Sequence, residues 1–305
     1  MMVYQSRRAH GGASPVEEAD AGRRAASAKA RLRRWVEHFA FPRHALVNAR
    51  ANRRAGDDLA GAFANLGYAV QLQGRFRNVL ALPRGARGLP LTLVAAHYDS
   101  VPGSPGADDN ASGLAAMLEC ARALAGSEAL SAVGFIAFNA EEDGLLGSRD
   151  FVAEGLRDLP GPLGAVHVLE MVGFRGPPGG EQPLPLPWVP KGLRSPDFLA
   201  LLTRGPSNES AQRALAHARS GGPRVVAAKT WAPIERLLPD LLRSDHAPFW
   251  AAGLPATLWT DTGNFRNPNY HRISDTPETL DYAFLLEVTA LLCVIASGGR
   301  ASLLD

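Results

Sequence analysis

The sequence predicts an α/β protein in which helices cover both faces of a mixed, mostly parallel central sheet, a three-layer α/β/α arrangement. Three observations support this fold class. Short, almost entirely apolar runs of strand length alternate with longer segments that have apolar residues at helical spacing. The short runs carry too few polar residues for a solvent-facing side, which is typical of strands buried on both faces. With 305 residues and 46% hydrophobic content, the chain can bury such a core.

The N-terminal region is predicted to add two helices to a larger domain. Residues 1–14 are rich in small and polar side chains, and we expect a disordered arm there. Residues 15–66 contain two alanine-rich helical patterns, interrupted near Pro42, which we expect to pack on a single larger domain of residues 67–305. Residues 1–54 hold 12 Lys/Arg against 4 Asp/Glu. Because no aromatic stacking platform accompanies these arginines, we expect a solvated helix face and no nucleic-acid partner.

Neither a secretory signal nor a membrane span is predicted. Arg7 and Arg8 are not followed by an apolar segment, and no stretch reaches roughly 18 uncharged apolar residues. We therefore expect a cytoplasmic protein with no membrane partner. Cys120 and Cys293 fall in apolar helical patterns, which favours buried thiols over a disulfide or a nucleophile. The sequence gives no indication of the oligomeric state.

The elements of the larger domain are predicted in chain order from periodicity and turn residues. Strands are expected at 68–72, 78–82, 91–96, 132–140, 164–171, 224–228 and 255–260. Helices are expected at 110–125, 147–155, 197–204, 208–219, 244–250 and 278–296, the first capped by Asn110 or Ser112. The Pro/Gly-rich segment 174–195 is longer than most connections, and we expect a loop insertion near the active site.

Candidate metal ligands stand where the buried strands end and in two loops. They are His97, Asp99, Asp109, Glu141, Glu142, Glu170 and His271. Taken singly, a histidine at a strand end is more often a hydrogen-bonded structural residue, and an aspartate before a helix is more often a cap. In a parallel sheet, however, ligands bind beyond the carboxyl ends of the strands. The convergence of imidazoles and carboxylates from separate segments on that edge therefore favours a functional site.

The types of these residues suit metal-assisted hydrolysis. Adjacent residues at a strand end point to opposite sides, so one of Glu141 and Glu142 can be a ligand while the other carries a proton. A carboxylate such as Asp109 can bridge two ions about 3.5–4 Å apart. Each ion then needs about one imidazole and one further carboxylate, with a position left for water. No G-x-S-x-G elbow, G-x-x-x-x-G-K loop or H-E-x-x-H helix is present to support a rival chemistry.

Five motifs occur in a fixed order along the chain. They are His97-x-Asp99, Gly-Ala-Asp-Asp-Asn-Ala-Ser-Gly at 106–113, Glu141-Glu142, Ser-Asp-His-Ala-Pro-Phe at 244–249, and Tyr270-His271 followed by Asp275-Thr276-Pro277. Together they closely resemble the M28 metallopeptidases, the co-catalytic zinc aminopeptidases. The resemblance spans about residues 76–295 and implies the zinc-peptidase, phosphorylase/hydrolase-like form of the α/β fold.

The resemblance implies a role for each matched residue. Asp109 would bridge two zinc ions. His97 and Glu170 would complete the ligands of one ion, and Glu142 and His271 those of the other. Glu141 would be the general base that takes a proton from the water between the metals. Asp99 would orient His97 from behind. The peptide bond after Asp109 would be cis.

The match assigns less to three further residues. Tyr270 corresponds to a tyrosine that polarises the scissile carbonyl in some members. Asp245 and His246 are expected behind the ligands, and for His246 a substrate-side role and a plain structural role both stay open. Many relatives end the third strand in Asp-Met, whereas this chain has Glu170-Met171. Glutamate is a competent zinc ligand, so we expect binding to survive with a slightly displaced ion.

The function predicted from the sequence is a zinc-dependent exopeptidase, most simply an aminopeptidase acting on peptides or small aminoacyl substrates. A glutaminyl cyclase shares the scaffold but is an acyltransferase with one zinc. A dipeptidase or carboxypeptidase specificity also stays open, because the sequence of the 174–195 loop contains no motif that indicates substrate specificity. A binding domain that had lost the chemistry should lack ligands, and here the general base and all five candidate ligands are present.

Overall fold

A computed structural model describes residues 2–5, 15–85, 88–126, 132–183, 193–218, 222–301 and 303. One mixed sheet of nine strands forms the centre of this part of the chain. The strands are β1 (Met2–Gln5), β2 (Ala69–Gln73), β3 (Asn78–Leu82), β4 (Leu91–His97), β5 (Val133–Phe138), β6 (Leu163–Glu170), β7 (Phe198–Thr203), β8 (Arg224–Lys229) and β9 (Ala256–Thr260). Their order across the sheet is β1-β8-β7-β9-β6-β4-β5-β3-β2.

Parallel pairing is concentrated at the centre of the sheet. Strands β9, β6, β4 and β5 run parallel to one another, and β7 and β8 form a second parallel pair that runs antiparallel to β9. The hairpin β2–β3 and the strand β1 add antiparallel edges. The α/β class and the mixed sheet predicted from the sequence are thus confirmed, and the carboxyl ends of β4, β5 and β6 meet at one edge.

Eight helices flank the sheet in the described residues. They are α1 (Pro15–Phe39), α2 (Ala49–Asn65), α3 (Gly113–Leu124), α4 (Leu146–Glu154), α5 (Asn208–Ala218), α6 (Ala232–Leu237), α7 (His246–Ala251) and α8 (Tyr282–Ala296). One large core cluster joins α1, α2, α3, α5 and α8 to one face of the sheet. A second cluster, with Phe151 of α4 and Phe249 of α7, covers the other face over the central strands.

Two elements differ from the prediction. The segment 197–204 was expected to be helical but forms β7, whose apolar residues are needed on both sides of the sheet. A short, wholly apolar run has no period that separates a buried strand from a buried helix. The prediction of a disordered arm over residues 1–14 does not hold for Met2–Gln5. These residues form β1, which pairs with β8 from Met2↔Lys229 to Gln5↔Val226. Residues 6–14 lie outside the described part of the chain.

Candidate active site

The candidate ligands from the sheet lie at its carboxyl edge because of strand register. His97 is the last residue of β4 and pairs with Phe138, the last residue of β5. The chain leaves β5 and reaches Glu141 and Glu142 three and four residues later. Glu170 is the last residue of β6. Three neighbouring parallel strands thus deliver one imidazole and three carboxylates to one place.

Asp109 is presented by an irregular turn before α3. The turn contains a cis peptide bond between Asp109 and Asn110, as the family resemblance implied. Gly106 has a φ of 62°, and a Cβ there would lie 2.2 Å from the carbonyl oxygen of Asp109, so the turn requires glycine. The carboxylate of Asp275 accepts hydrogen bonds from the backbone N–H groups of Asp108 at 2.9 Å and Asp109 at 3.1 Å. These contacts fix the direction in which the Asp109 side chain points.

Asp109 lies between two histidines. Its Oδ1 is 3.2 Å from His97 Nε2, and its Oδ2 is 3.2 Å from His271 Nε2. Glu170 Oε2 is 3.5 Å from the same nitrogen of His97, and Glu142 Oε2 is 3.3 Å from the same nitrogen of His271. The six predicted residues therefore meet as two half-sites that share Asp109, with Glu141 grouped beside His97 and Glu170.

These atoms fit metal coordination better than they fit one another. Both ring nitrogens of His97 and Glu142 Oε1 are buried and have no hydrogen-bond partner, although carboxylate oxygens lie within 3.2–3.5 Å of the imidazole. Buried polar atoms are rarely left in this condition. The ligand atoms of His97, Asp109 and Glu142 lie within 4.8 Å of one another. Imidazole nitrogen and carboxylate oxygen are the donors that zinc prefers besides thiolate.

The electrostatics of the cluster also favour cations. Burial, together with neighbouring carboxylates, raises the pKa of Glu142 to about 7 and the pKa of Glu141 well above its usual range. Burial lowers the pKa of His271, but hydrogen bonds to Asp109 and Glu142 outweigh it and raise the pKa to about 9. Burial would also raise the pKa of Asp109, yet the two histidines lower it. The site thus holds excess negative charge that protons or metal ions must balance.

Asp99 lies behind the cluster and touches both glutamates through their backbone. Its Oδ1 and Oδ2 accept hydrogen bonds from the N–H groups of Glu141 and Glu142, each at 3.1 Å. Its Oδ1 is 3.5 Å from His97 Nδ1, which is long for a hydrogen bond. Asp99 therefore holds the Glu141-Glu142 turn directly and stands where it can orient His97.

Tyr270 stacks on His271 at the rim, with ring centroids 3.7 Å apart. Arg243 Nη2 donates a hydrogen bond to the Tyr270 hydroxyl at 2.7 Å. Because the phenol oxygen accepts this bond, its own proton stays available for a substrate oxygen. Arg243 was not singled out in the sequence, since a lone arginine before the Ser-Asp-His motif carries no spacing signal.

The two residues after Ser244 lie deeper than the ligands. Asp245 is fully buried, and burial raises its pKa to about 7. His246 is also fully buried, donates from Nε2 to the carbonyl of Leu241 at 2.8 Å and packs edge-on against Trp250. Because its ring faces the core, these contacts favour the plain structural role over the substrate-side role that the sequence left open for His246. It supports the chain at Leu241, which lines the cleft.

Arg43, between α1 and α2, is a further contributor that the sequence did not reveal. Its side chain is fully buried and donates to the carbonyls of Tyr98 at 2.8 Å, Pro105 at 2.6 Å and Gly106 at 3.0 Å. Burial lowers the pKa of Arg43 to about 10 despite nearby carboxylates. The guanidinium thus ties together both ends of the loop that joins His97 to the Asp109 turn.

A cavity of about 450 Å³ opens beside the cluster. Asp109, Glu141, Glu142, Glu170 and His271 form its charged end. Tyr270 and Arg243 lie on its rim, and most of the remaining lining is apolar. This volume is in the range of ligand sites in proteins.

Comparison with known proteins agrees with this geometry. The model of peptidase family M28 matches residues 78–296. The chain belongs to that family. An uncharacterized protein of Escherichia coli, YfbL, is 30% identical over 273 residues, which is 84% of this chain and 82% of that protein. The probable lipoprotein aminopeptidase LpqL of Mycobacterium tuberculosis is 32% identical over 67% of this chain, which spans only 42% of its length.

Solved structures of related fold include both chemistries that the sequence left open. LapB of Legionella pneumophila superposes with a TM-score of 0.71 at 23% identity, over 93% of this M28 chain and 76% of LapB. The zinc aminopeptidase BSAP of Bacillus subtilis has a TM-score of 0.53 at 26% identity, over 74% and 50%. A glutaminyl cyclase of Porphyromonas gingivalis has a TM-score of 0.63 at 20% identity, over 90% and 98%. Family and relatives class the chain as a metallopeptidase.

None of the helices in the described residues is both long and apolar enough to cross a bilayer.

Proposed function

We propose that this M28 chain is a two-zinc aminopeptidase that hydrolyses the first peptide bond of its substrates. The observation that supports this most directly is the paired arrangement of histidine and glutamate on either side of Asp109. His97 and Glu170 would complete one zinc, and Glu142 and His271 the other. A second complete half-site favours the peptidase over a one-zinc glutaminyl cyclase.

When bound, the zinc pair would acidify the attacking water and polarise the scissile carbonyl. Glu141 is buried beside His97 and Glu170, and it takes the proton from the attacking water. The same carboxyl then gives that proton to the leaving amine. Tyr270 donates a hydrogen bond from its free hydroxyl to the carbonyl oxygen as negative charge develops there. Arg243 holds the phenol in place for that donation.

The acidic end of the cavity explains a preference for a free N-terminus. A free α-amine of the substrate can donate hydrogen bonds to the carboxylate oxygens at this end of the cavity. Fixing the amine there places the first peptide bond, and no later one, at the proton carrier Glu141. This restriction makes the enzyme an exopeptidase.

Glu141→Gln tests the proposal. The amide has the same shape but cannot carry the proton, so we expect zinc content near two per chain and a loss of kcat of about 10²–10⁴-fold. Glu154→Gln on α4, at an exposed site away from the cavity, is the matched control. Metal content is measured on the same samples by elemental analysis, and turnover with leucine p-nitroanilide. Full turnover in the Glu141 variant, or in protein stripped by chelation, would contradict the mechanism.

A further inference from the structure

The cavity does not end at the candidate zinc site but continues sideways over the sheet. Side chains of β9, β7 and β8 line it on the face where α4 and α7 cover only the central strands. Phe198, Ala200 and Val226 form a separate small apolar cluster there. The strand register shows that the side chains of β9, β7 and β8 on this face form one continuous surface, the floor of the cavity.

The first row of the floor starts at Glu170. Glu170 pairs with Thr260 of β9, Thr260 with Ala200 of β7, and Ala200 with Val226 of β8. Directly paired residues of neighbouring strands point to the same face of a sheet. All four side chains line the cavity. One row of contacts therefore leads from a candidate zinc ligand to an outer strand.

A second row runs beside the first. Leu258 of β9 pairs with Leu202 of β7, Leu202 pairs with Ala228 of β8, and Ala228 pairs with Val3 of β1. These four residues also line the cavity. Beyond Glu170, the two rows contain one threonine and otherwise only apolar side chains. The strand β1 thus widens the floor by one step.

The floor has the length of a short peptide. Neighbouring strands lie about 4.8 Å apart, so the three steps from Glu170 to Val226 cover about 14 Å. An extended peptide advances about 3.3 Å per residue, which corresponds to about four residues over that distance. A single amino-acid side chain would occupy only the part nearest to Glu170.

We infer that this floor binds an apolar stretch of the substrate downstream of the scissile bond, so that the enzyme selects peptides with apolar residues after the first. The inference rests on the proposed aminopeptidase function. Because the α-amine is held at the acidic end, the residues that follow the cleaved bond are the ones long enough to run along the floor. The apolar side chains of these substrate residues are removed from water when they pack against Ala200, Val226 and Leu258.

Two peptides with the same N-terminal residue provide the first test. The zinc-loaded full chain is assayed with Leu-Val-Leu-Val and Leu-Ser-Thr-Ser, and with leucine p-nitroanilide, which has no peptide downstream. Burial of even one or two apolar side chains predicts a kcat/KM about tenfold or more higher for the apolar peptide. The gain should come mainly from a lower KM, since the floor is remote from the reacting bond.

Ala200→Trp places a bulky side chain in the middle of the floor. We expect the ratio of kcat/KM between the two peptides to fall towards one. Ala216→Trp, at an exposed position of α5, the helix that packs on the opposite face of the sheet, should keep the wild-type ratio. Thermal melting of both variants shows whether each is folded. If the Ala200 variant is unfolded, the inference is tested by the ratio of kcat/KM between the two peptides in the wild-type protein.

The outcomes separate the inference from the proposed function. Equal kcat/KM for both tetrapeptides, with turnover intact, would refute binding of apolar downstream residues at the floor. The proposed aminopeptidase function would be unaffected. An unchanged preference in a folded Ala200→Trp protein would also refute binding at the floor. Absence of turnover on all three substrates by protein with two zinc ions would instead reject the aminopeptidase function. A high ratio that Ala200→Trp removes supports both.

Discussion

Asp99→Asn probes the support of the candidate zinc site without touching a proposed ligand. The wild-type carboxylate accepts one backbone hydrogen bond from Glu141 and one from Glu142, each at 3.1 Å. An asparagine offers one oxygen and one NH2 group. One of the two backbone N–H groups therefore faces another donor and loses its acceptor, and the negative charge beside His97 is lost as well.

The magnitude follows from these contacts. A buried N–H group without an acceptor costs about 1–3 kcal/mol. Removal of a partner that orients a metal-binding histidine typically lowers metal affinity or activity about 10–100-fold. We therefore expect zinc affinity to fall about 10–100-fold, while kcat at saturating zinc falls less, because Glu141 itself is retained.

The assay is competition for zinc against a chromophoric chelator, followed by activity at graded free zinc. Asp143→Asn is the matched control, since Asp143 follows Glu142 directly but lies 3.3 Å from His44 instead of contacting the cluster. Its zinc affinity should be close to that of the wild type. Unchanged zinc affinity and activity in Asp99→Asn would refute the reasoning that this carboxylate holds the Glu141-Glu142 turn.

Three further predictions concern protons, the rim and the N-terminal region. Zinc binding at pH 7 should release protons and tighten as pH rises towards 9, because His271, whose pKa is about 9 without metal, must lose its proton to bind. Calorimetry in two buffers of different ionisation enthalpy measures this release, and equal observed heats in the two buffers would contradict it. Tyr270→Phe should lower kcat about 100-fold with little change in KM, as measured by steady-state kinetics, if the phenol stabilises the developing charge. Equal kcat values would remove it from the mechanism. Arg43→Met should leave buried carbonyls without donors and destabilise the protein by about 3 kcal/mol or more in urea unfolding. Arg53→Met, at an exposed position of α2, is its control and should unfold as the wild type does.

The meeting of the candidate ligands could be predicted because sequence position and sheet geometry determine it together. His97 and Glu170 are each the last residue of an apolar run, and the runs are buried parallel strands. Parallel strands place their carboxyl ends on one edge whatever the details of packing. The position of His271 did not follow from this rule, since it comes from a long polar loop. Only the family resemblance placed it there.

Other features could not be predicted because their signal is not local. Strand β7 and a buried helix would have the same apolar composition over Phe198–Thr203, and only pairing with β8 and β9 decides between them. Strand β1 has only 4 residues and is stabilised by a partner more than 200 positions away. Arg43 donates to carbonyl groups, which every residue has, so no motif marks its partners. His246 faces the core although its motif is shared with a catalytic family.

The extra methylene that Glu170 has over an aspartate at the same position has a structural counterpart in this chain. The Ser244 hydroxyl donates a hydrogen bond to Glu170 Oε2 at 2.8 Å, and the same oxygen lies 3.5 Å from His97 Nε2. A longer side chain has one more rotatable bond and would otherwise sample several positions. The hydrogen bond from Ser244 restricts that freedom. A ligand that is longer but held at its tip can therefore reach the same half-site as a shorter one, and the donor that holds it belongs to the motif already recognised at 244–249.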